Sequence, residues 1–394
     1  MIRFFRYLRG RPLGLASLAV LIILYLMMAF AECAAPYAPT ASFAGMSYHP
    51  PNLRLRGGRL YAQEARLLDP LTWRYAFVKG HYAEVRLFAR GEPYRLWGLI
   101  PLRRHLFSTT HRITDAAAGP HAAPPEGSSG SEAFYPVFLM GADHLGRDVF
   151  SRVVYGARIS LTIGFIATTI SLLLAMLLGG LAGYFGGAAD WAIMRACEFF
   201  MLIPGLYLIL FLRSLLAQNM DSGQAYMMIT LILALIGWPG SARTLRGMIH
   251  ALKREDYILS ARLEMIPSPV IIFRHIIPQT ASLLIVSVAL SIPGAIMTET
   301  TLSYLGLGIT DPAVSWGSLI KRDISTLANL RAYPWLLAPV WFLLTVTLAF
   351  NFIGDCLRDY FDPYHTIFFR WPWQRKKMRG GAPPLAANGA GIPT

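Results

Sequence analysis

Six apolar runs, each about as long as a bilayer-crossing helix, leave this chain few folds other than a helical bundle in a membrane. A spanning helix needs roughly 20 mostly apolar residues. The runs lie near 13–31, 161–184, 191–215, 225–242, 279–305 and 334–353. The rest of the composition agrees: 55% of the 394 residues are hydrophobic and mean hydropathy is +0.44, well above that of ordinary soluble domains. The first run is long for the apolar part of a signal peptide and has no small-x-small cleavage site in the right place. It is expected to stay as an anchor.

A net charge of +14 could point to nucleic acid, but the arginines cluster at the flanks of the apolar runs, and no RNA-binding signature or zinc finger is present. Arg3, Arg6, Arg9 and Arg11 precede the first run; Arg370, Arg375, Lys376, Lys377 and Arg379 follow the last; Arg243, Arg246, Lys253, Arg254, Arg262 and Arg274 fall between the fourth and fifth. These clusters put both termini and the 243–278 loop on the cytoplasmic side of a multi-pass plasma (inner) membrane protein. The Arg-rich segment from about 34 to 157 then lies outside, which the charge rule tolerates in long loops. Cys33, Cys197 and Cys356 form neither a disulfide framework nor a metal spacing, and Glu32 argues against a lipid anchor on Cys33.

The expected organisation is a cytoplasmic N-terminus (1–12), a first transmembrane helix (13–31), an extracytoplasmic insertion and linker (34–140) and an amphipathic interfacial segment (141–160). A core of five transmembrane helices (161–357) with a cytoplasmic loop (243–278) follows, then a cytoplasmic tail (358–394). Within the insertion, Tyr75-Ala-Phe-Val78 and Tyr82-Ala-Glu-Val-Arg-Leu-Phe88 read as strands joined by a turn at Lys79-Gly80, which predicts a small β-rich domain. Residues 115–133, rich in Ala, Pro, Gly and Ser, read as a flexible linker, and 380–394 as a disordered end. In the interfacial segment Val149, Val153 and Val154 share a helical face, with Arg147, Asp148 and Arg152 toward the other.

Few residues invite catalysis. Asp143-His144 lacks a nucleophile or a metal spacing, so a structural role is expected, and no metal, cofactor or catalytic group is assigned. There is no Gly-Lys dipeptide, hence no phosphate-cradling loop; any ATP-driven step belongs to another chain. Ala175, Gly179, Gly183 and Gly187 recur every four residues, a spacing that lets helix backbones approach closely in lipid. Arg195 and Glu198 share a face and can pair. Pro204 and Pro293 are expected to kink the third and fifth spans, and kinked helices can line a path. Glu299, flanked by threonines, should face the bundle interior, a partner helix or water, with a hydrogen-bonded interhelical contact preferred over substrate contact. Residues 250–278 are charged and amphipathic between two apolar runs, the kind of segment a membrane protein presents to a soluble partner.

The motifs together resemble a known family. Gly141-Ala-Asp-His-Leu-Gly-Arg-Asp148, Ser151-Arg152 and Tyr155-Gly-Ala-Arg158 look like the signature before the second span of peptide-type ABC importer permeases. Ala182-Gly-Tyr-Phe-Gly-Gly187, Met194-Arg195 with Glu198, Trp238, Ala242-Arg243, Arg246-Gly247 and Phe273-Arg-His-Ile-Ile-Pro278 continue it in order. Glu299-Thr-Thr-Leu-Ser-Tyr-Leu-Gly-Leu-Gly308, Trp316-Gly317, Asn351-Phe-Ile-Gly-Asp355 and Arg358-Asp359 complete it. The likeness covers roughly 141–363 and the first span, and it is greatest to the second permease of dipeptide and oligopeptide importers.

The resemblance implies an all-α polytopic fold with six transmembrane helices, the type I ABC importer permease fold, here with a β-rich extracytoplasmic insertion. It implies a heterodimer with a homologous second permease, two cytoplasmic ATPase subunits that carry the ATP-Mg, and an extracytoplasmic solute-binding protein. A short coupling helix in the cytoplasmic loop would dock on the ATPase, here through Glu255, Asp256, Tyr257, Leu259, Ser260, Ala261, Arg262, Glu264 and Met265. This chain departs from the family's loop pattern. Where that pattern has Glu-Ala-Ala and then Gly, the chain has Leu259-Ser260-Ala261 and then Met265, and Pro267 and Pro269 are expected to supply the turn instead. Nickel, opines or peptide-like antibiotics are alternative cargoes. A membrane-anchored extracytoplasmic binding or assembly protein is the alternative of another class.

Overall fold

The structure is a computed structural model, and it describes residues 2–109, 135–216, 221–324 and 327–361. The predicted linker at 115–133 and the C-terminal end at 380–394 lie outside them. Five helices are long and apolar enough to cross a membrane, and a sharply bent helix pair is a sixth candidate.

The chain opens with α1 (Ile2–Leu8) and the first span, α2 (Pro12–Ala29), started by Pro12 at the position where a missing N–H costs nothing. A single turn, α3 (Ala31–Ala34), leads to β1 (Leu53–Arg56), β2 (Arg59–Asp69), β3 (Arg74–Leu87), β4 (Arg90–Leu96), β5 (Ile100–Arg104) and β6 (Phe107–Thr109). They form an antiparallel four-stranded sheet in the order β1-β2-β3-β6 and a separate β4-β5 hairpin. The turn expected at Lys79-Gly80 is absent. β3 runs through it, and Gly80, at φ +92°, sits where the pairing slips from Gln63↔Tyr82 to Ala65↔Phe77. A bulge takes up the extra residues because both flanking runs pair with the same neighbour, β2. The sheet is seated by Tyr37, Phe43, Tyr135 and Phe138, buried with Ala62, Ala83 and Phe107.

The second span corrects another expectation. Residues 149–160 are not a separate surface helix; they are the first turns of α4 (Val149–Phe185), which runs unbroken for 37 residues. Asp148 caps it, accepting from the Ser151 N–H at 2.7 Å. Nor do Arg147, Asp148 and Arg152 form an outward polar face. All three are buried, the arginines on carboxylates. Helical periodicity separates the two faces but cannot say that both are covered.

The third predicted span is also different. It is α5 (Gly187–Leu202) and α6 (Gly205–Leu216), set at 84° with Pro204 in the break. Pro204 does more than kink the run: with no N–H to donate and a clash with the preceding turn, it ends one helix and lets another start. α7 (Ser222–Leu252) then continues ten residues past the predicted end of the fourth span, so the first part of the expected 243–278 loop is helix. The loop proper holds α8 (Asp256–Leu263). α9 (Ser268–Val270) and a wide turn at Ile271–Ile276 lead without a break into α10 (Ile277–Tyr304). The bundle closes with α11 (Trp316–Asp323), α12 (Leu327–Ala332), a tight turn at Pro334–Leu337, and α13 (Ala338–Phe361).

Close backbone approach holds the spans together, as lipid supplies no hydrophobic drive between helices. Gly179 of α4 lies against α7 so tightly that a Cβ there would meet the Ala242 carbonyl oxygen at 2.6 Å. Ala175 and Gly183 of the same stripe also face α7, whereas Gly187 lies beyond α4, at the start of α5. Trp316, wholly buried, anchors α11 under the bundle end and donates from Nε1 to the Val153 carbonyl at 3.0 Å.

Candidate functional site

Three assemblies on this scaffold bear on function. One is the short helix α8. Ile258 and Ala261 are buried with Leu245 and Ile249 of α7 and with Ile271 and Ile272. The Arg262 guanidinium lies 4.8 Å from the centre of the Tyr184 ring near the end of α4, a cation–π contact that ties α8 to a second span. So α8 is gripped from one side by two long helices. The rest is open: Glu255, Asp256, Tyr257, Leu259, Ser260, Glu264 and Met265 are exposed, Arg262 is exposed apart from its ring contact, and Leu259 and Leu263, four apart, form an apolar ridge along the helix.

The turn after α8 explains the departures in this loop. The Met265 N–H donates to the Arg262 carbonyl at 3.0 Å and the Ile266 N–H to the Ala261 carbonyl at 3.2 Å. This double closure is the Schellman pattern of a helix C-terminus. It requires a left-handed residue, and Met265 is that residue, at φ +60°. The prolines do not shape the turn, as the sequence suggested. Met265 occupies the conformation that glycine adopts without strain, and Pro267 only starts the next helix.

The second assembly is polar and buried. Glu299 of α10 is fully enclosed; it accepts from the Ser160 hydroxyl of α4 at 2.8 Å and from the Ser303 hydroxyl at 2.7 Å. Ser160 Oγ in turn accepts from the Trp316 N–H at 3.2 Å. Glu299 therefore joins α10, α4 and α11. Around the start of α4, Asp143 accepts from Arg147 at 2.7 Å and from Arg152 at 3.0 Å, and Asp311 lies 3.7 and 3.6 Å from the same two arginines and also pairs with Arg322. Asp143, His144 and Asp323 come close enough to suggest a metal site, with ligand atoms within 4.8 Å of one another. The two guanidiniums already on Asp143 make that corner a poor host for a cation, so its chemistry is ion pairing.

The third assembly is a cavity of about 350 Å³ between α4, α6, α7 and α10. Thr168, Ser171, Ser241, Ser287, Ser291 and Thr298 give it hydroxyl groups, and among the described residues no charged side chain lines it. Glu299 and Pro293 do not reach its wall; Pro293 is buried within α10. Pro204 acts through the helix break, which swings Gly205, Leu206 and Ile209 onto the cavity. Sequence reasoning missed the serines. They stood in apolar runs as isolated small polar residues, and only the helix pairing brings them to one space.

The family model described as the binding-protein-dependent transport system inner membrane component matches residues 175–364, and that of the N-terminal TM domain of oligopeptide transport permease C matches 1–51. The chain is 35% identical over 224 residues to the oligopeptide transport system permease protein OppC of Bacillus subtilis, spanning 57% of this chain and 70% of that one. It belongs to this family of transport permeases. The OppC protein of Haemophilus influenzae (37% over 226 residues, 57% and 70%) and the dipeptide transport system permease protein DppC of Bacillus subtilis (38% over 224 residues, 57% and 68%) are similar to the same extent. The inward-facing MetNI methionine ABC transporter aligns with 52% of this chain and 96% of its own at 14% identity and a TM-score of 0.39. As an inner-membrane, multi-pass permease of the family, the chain works with an ATPase and a binding protein. The β-rich segment falls between the two matched regions.

Proposed function

We propose that this permease passes peptides, delivered by an extracytoplasmic solute-binding protein, across the membrane, with both its termini in the cytoplasm. In this proposal it forms a heterodimer with a homologous second permease, and α8 docks on one of two ATPase subunits, which bind ATP-Mg. The observation that carries the proposal is the cavity at the Pro204 break. Its hydroxyl groups can exchange hydrogen bonds with the backbone amides of a peptide, whatever its side chains. The relatives named for oligopeptides and dipeptides support peptide as the cargo.

Coupling follows from how α8 is held. Its inner face is packed on α7 and leans on α4 through Arg262 and Tyr184, so a push on its exposed ridge moves both spans as one body. Leu259, Leu263 and Met265 suit an apolar groove, while Glu255, Asp256 and Glu264 set the charge at its rim.

The test is ATP-dependent uptake of a labelled tetrapeptide by the complete complex in proteoliposomes. Uptake should vanish when residues 255–266 are replaced by a Gly-Ser linker, and a cysteine at Leu259 should crosslink to the ATPase. Uptake that survives the replacement would reject the coupling role. Uptake of nickel, and not of peptide, by the intact complex would reject the cargo.

A further inference from the structure

The β4-β5 hairpin hangs from the insertion toward the end of the first span. At its base, the Arg104 carbonyl faces the Cys33 thiol at 3.8 Å and the His105 ring bonds the Ala35 carbonyl at 2.7 Å. At its tip, the Trp97 indole N–H donates to the Ala29 carbonyl at 2.7 Å, and its ring lies 5.8 Å from that of Phe30. From base to tip the hairpin thus descends from Ala35 to Ala29, the last residue of α2, which brings its turn to the level where the bilayer begins.

That turn is apolar and uncovered. Leu99 is 79% exposed and Trp97 54%, with Ile100 exposed beside them. The neighbouring outward residues of α2, Leu26 and Phe30, are exposed too. Arg95 and Arg103 project from one face of the hairpin, both exposed, and neither has an ion-pair partner among the described residues. An indole at the end of a span, apolar residues at the tip and two exposed guanidiniums just above them form the pattern of a membrane-interface anchor. Trp97 also holds the tip in place by bonding a helix-end carbonyl that has no partner within its own helix.

We infer that the β4-β5 hairpin is an interfacial anchor. Its tip enters the leaflet on the extracytoplasmic side, and Arg95 and Arg103 pair with headgroups of net negative charge. The occupant of the exposed surface is lipid rather than protein because the tip lies beside the outward face of α2 and carries two exposed arginines, which suit anionic headgroups. The anchor would tie the insertion to the bilayer, so that the sheet above cannot swing on the single turn of α3.

The test places an environment-sensitive fluorophore on a cysteine at Leu99, with Ile100 as a second site, in a variant lacking Cys33, Cys197 and Cys356. The complete complex is measured in nanodiscs of phosphatidylglycerol and phosphatidylcholine. The expected result is blue-shifted emission, loss of most intensity to lipids with a nitroxide high on the acyl chain, and little loss to aqueous iodide. The double variant Arg95→Ser, Arg103→Ser should shift the emission back toward the red in phosphatidylglycerol discs and leave it unchanged in pure phosphatidylcholine. Quenching by iodide at both sites would overturn the inference, as would protection from both quenchers, the mark of a tip covered by another protein. Neither outcome depends on transport, so the inference can fail while the peptide permease assignment stands.

Discussion

Arg158 grips Glu32 through two parallel N–H···O bonds of 2.7 Å, and the same guanidinium reaches the Met28 carbonyl at the end of the first span. One side chain of α4 therefore closes the C-terminus of α2 and pairs with the carboxylate just beyond it. Burial alone would raise the Glu32 carboxyl, but the Arg158 fork and charge together with backbone N–H bonds from Glu32 itself and Trp97 outweigh it and hold the group below its ordinary value. Arg158→Gln should leave that carboxylate mostly buried and unpaired and cost roughly 1–3 kcal/mol, toward the low end because the arginine is one-third exposed. Arg158→Lys should fall between, as an ammonium keeps the charge and loses the fork. Thermal melting of the purified complex checks the order; equal midpoints for all three proteins would show that the pair contributes nothing.

Met265 makes the opposite kind of prediction, a gain. A non-glycine residue in the left-handed region costs on the order of 1 kcal/mol, and Met265 is 88% exposed, so its side chain offsets little of that cost. Met265→Gly should stabilise the turn after α8 by about that amount, whereas Met265→Val should loosen it further, since a β-branched residue fits φ > 0 worst. Hydrogen-exchange protection of the Ile266 amide, which closes the turn, reports both. Crosslinking at Leu259 then tells whether a firmer turn improves docking or whether the exposed methionine is itself a contact.

The closed hydrogen-bonded setting of Glu299 predicts a strut rather than a cargo ligand. Removing its carboxylate strands the Ser160 and Ser303 hydroxyls in a closed space and frees the Ser160 link to the Trp316 N–H. Glu299→Leu should cost roughly 2–4 kcal/mol, with a fall in assembled complex. Glu299→Gln still offers an acceptor and should retain most assembly. If the leucine variant assembles and takes up peptide at the normal rate, the strut is dispensable.

How much of this was legible beforehand depends on what each feature needs. The spans at α2, α4, α7, α10 and α13 follow from local composition, and runs of apolar residues show it directly. The buried face of Arg147 and Arg152 does not: two arginines near a span end resemble a surface until the chain turns Asp143 back onto both and Asp311 arrives from beyond α10. Gly80 has the same difficulty. A Lys-Gly pair signals a turn or a bulge alike, and only the register with β2 decides. At Met265 the family pattern, with glycine there, was the better guide; the two prolines downstream were a plausible but wrong source of the bend. The cavity was the least visible, since its serines come from helices far apart in sequence.

His49 gives the insertion a pH dependence. The ring is fully buried, in tilted contact with Phe138 and with Tyr75, each at 4.9 Å between ring centres; it bonds the Pro50 carbonyl through Nδ1 at 2.7 Å and the Tyr135 hydroxyl through Nε2 at 3.1 Å. The Pro50 carbonyl can only accept, so Nδ1 carries the proton of the neutral ring and Nε2 accepts from the Tyr135 hydroxyl, whose oxygen also accepts the Ala65 N–H at 2.7 Å. Burial pushes the imidazole down to about 4 from an ordinary value of 6.5. Between those pH values the unfolded chain takes up a proton that the folded ring refuses, so its contribution is complete above 6.5 and is lost as the pH falls toward 4. The loss at the acid end is roughly 3 kcal/mol. Hydrogen exchange of β2 amides near Ala65, followed from pH 7 to 4 and corrected for the intrinsic rate, should show opening grow steeply with acid. His49→Phe, which keeps a ring in the same contacts and cannot titrate, should be less stable at pH 7 for want of the Tyr135 bond, yet should lose most of that acid slope. A slope that persists in the phenylalanine variant would place the proton elsewhere.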